Sequence, residues 1–234
     1  MSFRARALAV TVISVSSTSA SDEAILARAR ERMVAEQIAA RDVKDPLVLG
    51  AMRRVPRHLF VPEASRAEAY DDHPLPIGHA QTISQPYIVA FMTAALGLRG
   101  GESVLEIGTG SGYQAAVLSE IVGQVHTIEI VAPLAEEARA RLLRLGYRNV
   151  QVRAGDGYRG WPEVAPFDAI MVTAAAPRIP EDLKRQLKDG GRLIVPVGDD
   201  SQELVLVTRR GARFDERRVL PVRFVPMTGE VRKD

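Results

Sequence analysis

The segment Ser103-Val104-Leu105-Glu106-Ile107-Gly108-Thr109-Gly110-Ser111-Gly112-Tyr113 decides the fold. An aliphatic run enters three glycines at alternate positions, and helix-forming residues follow from Tyr113 to Ile121. A buried strand, a glycine turn and a helix in that order let the main chain approach a ligand with no Cβ in the way. Working outward, strands are predicted at Ser103 to Ile107, Val125 to Ile130, Val150 to Ala154, Phe167 to Val172 and Arg192 to Val197. Helices are predicted between them at Tyr113 to Ile121, Pro133 to Leu145 and Pro180 to Leu187. This alternation implies an α/β fold with a doubly wound, mostly parallel sheet covered on both faces. Leu204 to Thr208 and Arg217 to Phe224 read as antiparallel strands that finish one edge.

Upstream of this core, Ser21 or Asp22 can cap a helix that places Ile25, Leu26, Ala29, Met33, Val34 and Ile38 along one side. Pro46 to Arg54 reads as a second helix, which Pro56 stops. Val61 to Ser84, punctuated by Pro62, Pro74 and Pro76, reads as irregular, yet Tyr70, Leu75, Ile77 and Ile83 argue that it is ordered. Pro86 then opens a helix that Gly97 closes. Residues 1–20 carry Arg4 and Arg6, a short apolar run and a Ser/Thr tract, the layout of a leader or of a disordered extension. Residues 21–234 form one domain, with N-terminal helices and a lid over 21–99 and a ligand-binding core with C-terminal strands over 100–234.

Composition narrows the chemistry. The chain has 234 residues, 46% of them apolar, and no Cys, so thiolate nucleophiles, iron–sulfur clusters and Cys-ligated zinc are excluded. Its net charge of +2 arises from Arg4 and Arg6, leaving the rest neutral. Although 27 Arg stand against four Lys, acids interleave with them, and no cationic stripe for a nucleic-acid backbone results. His58, His73, His79 and His126 show no metal-ligand spacing, and no metal is expected.

The glycine spacing suggests the ligand. Dinucleotide sites use G-x-G-x-x-G with the pyrophosphate on the helix N-terminus, whereas this chain has G-x-G-x-G preceded by Glu106. A carboxylate at the mouth of the turn would repel a pyrophosphate and suit the ammonium and sulfonium charges of S-adenosylmethionine. Glu129 ends the next strand, where it can accept hydrogen bonds from ribose hydroxyls, and Asp156-Gly157 follow the third strand, where adenine would lie.

Further motifs stand in fixed order around this loop. They are Tyr70-Asp71-Asp72, Pro74-Leu75-Pro76-Ile77-Gly78, Gln81-Thr82-Ile83-Ser84-Gln85-Pro86, Gly155-Asp156-Gly157, Val172-Thr173-Ala174-Ala175-Ala176-Pro177, Gly190-Gly191-Arg192-Leu193 and Phe224-Val225-Pro226-Met227. Over roughly residues 30–228 the chain resembles the protein-L-isoaspartate O-methyltransferases, a family with a Rossmann-like methyltransferase sheet. The resemblance implies methyl transfer from S-adenosylmethionine to the free α-carboxylate of L-isoaspartyl residues in damaged proteins. It assigns the family's functional serine to Ser84. It assigns cofactor contacts to Gln81, Thr82, Ile83, Glu106, Gly108, Thr109, Gly110, Ser111, Gly112, Glu129, Asp156, Gly157 and Thr228. Ile83, Val222, Phe224 and Val225 are expected to meet the substrate peptide.

Ser84 is expected to aim the substrate carboxylate; capping the Pro86 helix is its alternative role. The implied protein is a cytoplasmic monomer acting on isoaspartyl proteins and peptides, with no nucleic-acid or membrane partner, unless residues 1–20 direct export. Two rivals remain: a class I methyltransferase acting on RNA or a small molecule, and a non-catalytic nucleotide-binding module. The first would set aromatic or basic residues around Ser84, where the chain has Pro, Gly and uncharged polar residues; the glycine spacing opposes the second.

Overall fold

A computed structural model of the chain describes residues 20–232. Nearly all of the leader expected at 1–20 lies outside the described residues. Helix α1 (Ala20–Arg32) has Ser21 and Asp22 inside it rather than at its cap. It runs on into a π-helical segment, Met33–Ala39, that buries Met33, Val34 and Ile38. In α2 (Pro46–Arg54) the Asp45 carboxylate accepts hydrogen bonds from the Leu47 and Val48 amides, an N-cap reinforced by Pro46 in the first turn.

The segment expected to be irregular, Val61 to Ser84, is more regular than its prolines suggest. It contains a 3-10 turn, Glu63–Glu68, and an antiparallel hairpin of β1 (Leu75–Gly78) and β2 (Gln81–Ile83). Leu75 and Ile77 point inward while Pro76 points out, and a two-stranded ribbon leaves edge positions where Pro forfeits nothing. The sequence carries little signal for this hairpin, since its alternation is four residues long and its turn lacks Asn-Gly or Asp-Gly; His79 and Ala80 take φ of 51° and 55° instead. Helix α3 (Pro86–Ala95) follows, closed by Gly97 at φ 60°.

The core alternates as expected: β3 (Ser103–Ile107), α4 (Tyr113–Ser119), β4 (Gln124–Glu129), α5 (Ala132–Arg144), β5 (Val150–Ala154), β6 (Phe167–Val172), a short α6 (Glu181–Arg185) and β7 (Leu187–Val197). β8 (Gln202–Arg210) and β9 (Arg213–Val222) complete one sheet of order β5-β4-β3-β6-β7-β8-β9, parallel from β5 to β7 and antiparallel thereafter.

The largest boundary differences are in β7 and β9, the latter beginning at Arg213 rather than Arg217. β7 starts at Leu187, not Arg192, because Asp189-Gly190-Gly191 is absorbed by a register irregularity: Phe167 pairs with Leu187, but Ala169 pairs with Arg192. β9 stops at Val222, so Phe224 lies beyond the strand.

The sheet divides the core. Val104 packs with the N-terminal helices and the hairpin residues Leu75, Ile77 and Ile83. Its neighbour Leu105 packs with Phe167, Leu183 and Leu187. Successive side chains on a strand take opposite faces, so one aliphatic run supplies both layers.

Gly112 begins α4 at φ 87°, and a Cβ there would come within 3.1 Å of Leu142 on α5. Gly112→Ala therefore combines a left-handed backbone penalty with overpacking, for an expected loss of about 1–3 kcal/mol. Urea unfolding measures it, and an unchanged midpoint would show that this helix start does not need glycine.

Candidate active site

The site forms where the chain's direction across the sheet reverses. β3 has β4 on one side and β6 on the other, and the carboxyl ends of these strands open a crevice at the reversal. Glycines 108 and 110 turn the chain across it. The amides of Gly108 and Thr109 donate to Ile128 O at 2.8 and 3.3 Å, and the Gly110 amide donates to Glu129 Oε2 at 2.8 Å. From the other side, the Thr173 hydroxyl reaches Ile107 O at 3.0 Å and Gly108 O at 2.7 Å, while its amide donates to Ile107 O. A Cβ on Gly108, whose φ is 97°, would fall 2.3 Å from that hydroxyl.

Three adjoining compartments surround the turn. The outer cleft, about 630 Å³ including its open mouth, is of small-molecule size. Gln81, Thr82, Gly108, Gly110, Glu129, Asp156, Gly157 and Thr228 line it. An inner compartment is lined by Thr82, Ile83, Ser84, Thr109 and Ser111. A groove leads outward past Ser84, Val222, Phe224 and Val225. Thr82 and Thr173 border all three spaces, and Ser84 stands between the inner compartment and the groove.

The acids at the strand ends are held by backbone amides. Buried Glu129 accepts from Gly110 N through one oxygen and from Val131 N, at 2.9 Å, through the other, leaving each oxygen a further lone pair. Asp156 accepts from Tyr158 N at 2.9 Å and Glu230 N at 2.7 Å, which fastens the C-terminal segment beside the cleft. Gly157 is needed there, since a Cβ would lie 2.4 Å from Ile107 Cγ2.

Two expected contacts are placed elsewhere. Glu106 is fully buried and lines none of the three spaces. Its Oε2 accepts from the Thr127 hydroxyl at 2.5 Å, which in turn lies 2.6 Å from the Thr109 hydroxyl, and its Oε1 has no partner. Desolvation pushes its pKa up to about 8, against the Thr127 hydrogen bond and with help from the Glu129 charge. Glu106 is thus largely neutral at pH 7, and the acids that line the cleft are Glu129 and Asp156. Gly112 also borders none of the three; Leu142 occupies the space its Cβ would take.

Two further residues shape the site, and their signals in the sequence are weaker. Thr173 carries a recoverable signal, being the first residue after the strand that flanks the glycine-loop strand, where switch-point ligands sit. Asp72 had none beyond its motif. Its carboxylate accepts from the Gln85 amide at 2.8 Å and from Tyr87 N at 3.3 Å, and so satisfies the α3 N-terminus from outside the helix. Gln85 is the N-cap residue and makes no side-chain cap, so Ser84 is free of the capping role.

A doubly wound sheet whose switch-point cleft has a glycine turn and acids at successive strand ends defines a class I S-adenosylmethionine-dependent methyltransferase. Residues 28–232 match the family described as Protein-L-isoaspartate(D-aspartate) O-methyltransferase. The chain is 60% identical to the protein-L-isoaspartate O-methyltransferase of Opitutus terrae, covering 86% of this chain and 87% of that one. It is 59% identical to protein-L-isoaspartate O-methyltransferase 1 of Rhodopseudomonas palustris, covering 89% and 86%. A solved protein-L-isoaspartate O-methyltransferase superposes with a TM-score of 0.81 at 33% identity, covering 86% and 67% of the two chains. A Plasmodium falciparum structure described as the same enzyme, in complex with S-adenosyl-L-homocysteine, gives 0.75 at 26% identity over 85% and 98%. The chain belongs to the protein-L-isoaspartate O-methyltransferase family.

The Glu106 environment predicts a pH effect. Between the ordinary carboxylate pKa of 4.5 and about 8, the folded protein retains a proton that the unfolded chain releases, so stability falls as pH rises through that window. Glu106→Gln keeps the shape and removes the titration. Its stability advantage over the parent chain is expected to grow from pH 5 to pH 8 in thermal unfolding; parallel curves would place the charge elsewhere.

Proposed function

We propose that this chain repairs damaged proteins by moving a methyl group from S-adenosylmethionine to the free α-carboxylate of L-isoaspartyl residues. The observation that carries this reading is the continuity of cleft, inner compartment and groove through Thr82, Thr173 and Ser84. A small donor enters from one side, an extended peptide from the other, and the two meet beside one serine. No helix of the described residues is long and apolar enough to cross a membrane.

Glu129 holds the ribose through its remaining lone pairs, and Asp156 with Gly157 flanks the base. Gln81, Thr82 and Thr228 close the walls of the cleft. Gly108, Gly110, Thr109, Ser111 and Ile83 shape the passage to the inner compartment. When bound, S-adenosylmethionine supplies a methyl on a positively charged sulfur that leaves as a neutral thioether. The substrate carboxylate, with an unperturbed pKa of about 4, is already ionised near neutrality, so no residue need act as a general base. The chain's contribution is orientation, which can be worth ~7–11 kcal/mol, together with exclusion of water.

Ser84 donates its hydroxyl proton to one carboxylate oxygen and aims the other. Among the described residues that hydroxyl has no competing partner. Ile88, Val222, Phe224 and Val225 support the peptide backbone along the groove. The segment from Tyr70 to Ser84 acts as the lid. Its roots, Leu75, Ile77 and Ile83, are buried, and the moving part is the exposed tip at Gly78, His79 and Ala80.

We place the enzyme in the cytoplasm, where its methyl donor is made, as a monomer without a nucleic-acid partner. Of the five large hydrophobic residues exposed among those described, Ile130 already belongs to the cleft, which leaves little apolar surface for a subunit contact.

Tritiated methyl transfer to an isoaspartyl peptide and its aspartyl twin tests the activity; equal labelling of the twins would refute repair. Ser84→Ala is expected to lower kcat/KM about 10–100-fold, the loss of a hydrogen bond to a charged group, while S-adenosylhomocysteine still binds. An unimpaired variant would remove the serine's role. The hairpin tip should gain protection from proteolysis only with S-adenosylhomocysteine and isoaspartyl peptide both present, and equal cleavage with and without them would count against closure.

A further inference from the structure

The substrate groove carries an unequal charge. Among its lining residues, Pro74, Thr82, Ser84, Gln85, Ile88 and Thr173 are uncharged, as are the C-terminal wall residues apart from Arg223. That arginine is exposed, and no described residue pairs with it. Three acids of the neighbouring segments are engaged elsewhere, while exposed Asp200 pairs with no described residue. Glu203, on the strand beside the end of β9, pairs with Arg218; Asp199 pairs with Arg232 at 2.6 Å; and Asp72, behind Gln85, holds Arg41 at 3.3 Å.

The backbone that presents Arg223 is fixed on its C-terminal side. Gln202 accepts from Phe224 N at 2.6 Å and donates to Phe224 O at 3.2 Å, and the Val225 carbonyl accepts from Ala175 N at 2.8 Å. On the N-terminal side Val222 closes β9 by pairing with Gln202. A guanidinium on an anchored wall, with its five N–H donors uncommitted, is suited to a carboxylate in the plane of its fork.

We propose that Arg223 is a specificity-determining residue that selects isoaspartyl substrates bearing an acidic side chain close to the damaged linkage. The inference rests on the groove being the peptide site, as argued under the proposed function. The isoaspartyl carboxylate itself goes to Ser84 at the inner end of the groove. Arg223 lies on the wall of the same groove and meets a neighbouring Asp or Glu of the peptide. Because the pair is solvent-exposed, its effect is modest at each substrate and weakens with salt. Across a population of damaged proteins it ranks acidic neighbourhoods ahead of basic ones.

The test uses the full-length protein saturated with S-adenosylhomocysteine and a set of isoaspartyl peptides. Glu, Gln or Lys is placed in turn at each of the two positions before and after the isoaspartyl residue. Peptide affinity is measured by fluorescence anisotropy, and KM is measured with S-adenosylmethionine. At one or more positions the Glu peptide should bind about 3–10-fold more tightly than its Lys twin in low salt, with the difference in KM rather than kcat. Arg223→Gln should bring that ratio to about one, and Arg223→Glu should invert it. A ratio of one in the parent chain at every position, or a ratio unchanged in Arg223→Gln, overturns the proposal.

Phe224→Ala separates this failure from that of the groove. If it weakens every peptide while S-adenosylhomocysteine still binds, the groove stands and only the arginine's role is lost. If it weakens none, the peptide lies elsewhere and both readings fall.

Discussion

Every compartment of the site depends on how the chain leaves β3. A parallel sheet ends in carbonyl and amide groups that must find partners once the ladder stops, and here they are paired across the crevice in two directions. Ile128 O and Glu129 take the amides of the glycine turn, while Thr173 covers the Ile107 and Gly108 carbonyls. The turn is thereby spread between β4 and β6. Its glycines are required by these close approaches: the space a Cβ would enter at Gly108 is already the Thr173 hydroxyl. The groups that line the cleft are thus oriented in advance by structural hydrogen bonds.

The N-terminal region reaches the same point by a different kind of restraint. Its helices share one apolar cluster with β3, β4 and α4, and the hairpin brings Ile77 to within 3.3 Å of where a Cβ on Gly110 would stand. Asp72 joins Gln85 and the start of α3, so the loop carrying Ser84 is held by a side chain twelve residues before it in sequence. Beneath this layer the Arg57 guanidinium is fully buried, donating to Ala69 O at 2.8 Å and lying 4.9 Å over the Tyr113 ring. Burial lowers its pKa against the raising influence of Tyr113. No carboxylate is hydrogen-bonded to it among the described residues; the Tyr113 face favours the cation, with a smaller contribution from the Asp72 charge. Arg57 links the segment before the hairpin to the helix that starts at the glycine turn.

Glu106 and Glu129 show how far local pattern reaches. Both end or nearly end a strand, both are acids, and both read as cleft walls. Both lie on the same face of the sheet, at different heights along it: Glu106 pairs with Thr127 under the loop, where desolvation favours its neutral form, while Glu129, two residues further along β4, reaches Gly110 and the cleft. What differs is how far each carboxylate stands from the end of the ladder: Glu106 lies on a paired rung, whereas Glu129 ends β4 beyond the last rung it shares with β3. Arg223 is a similar case. In the sequence it is one of 27 arginines, and only the anchoring of Phe224 and the pairing of three neighbouring acids distinguish it from the rest.

The order of strands and helices, the glycine turn, the serine segment and the family were legible in the chain because each is written in local terms: hydrophobic period, proline and glycine punctuation, and motifs in fixed order. Contacts between segments distant along the chain were not. The hairpin within 61–84, the length of β7, the Asp72 hold on α3, the burial of Glu106 and the role of Thr173 each depend on a partner more than a dozen residues away or on a sheet register. The linear pattern determined which residues could make a methyl-transfer site. Packing decided which of them face the cleft, because a side chain's environment is set by what folds against it rather than by its neighbours in sequence.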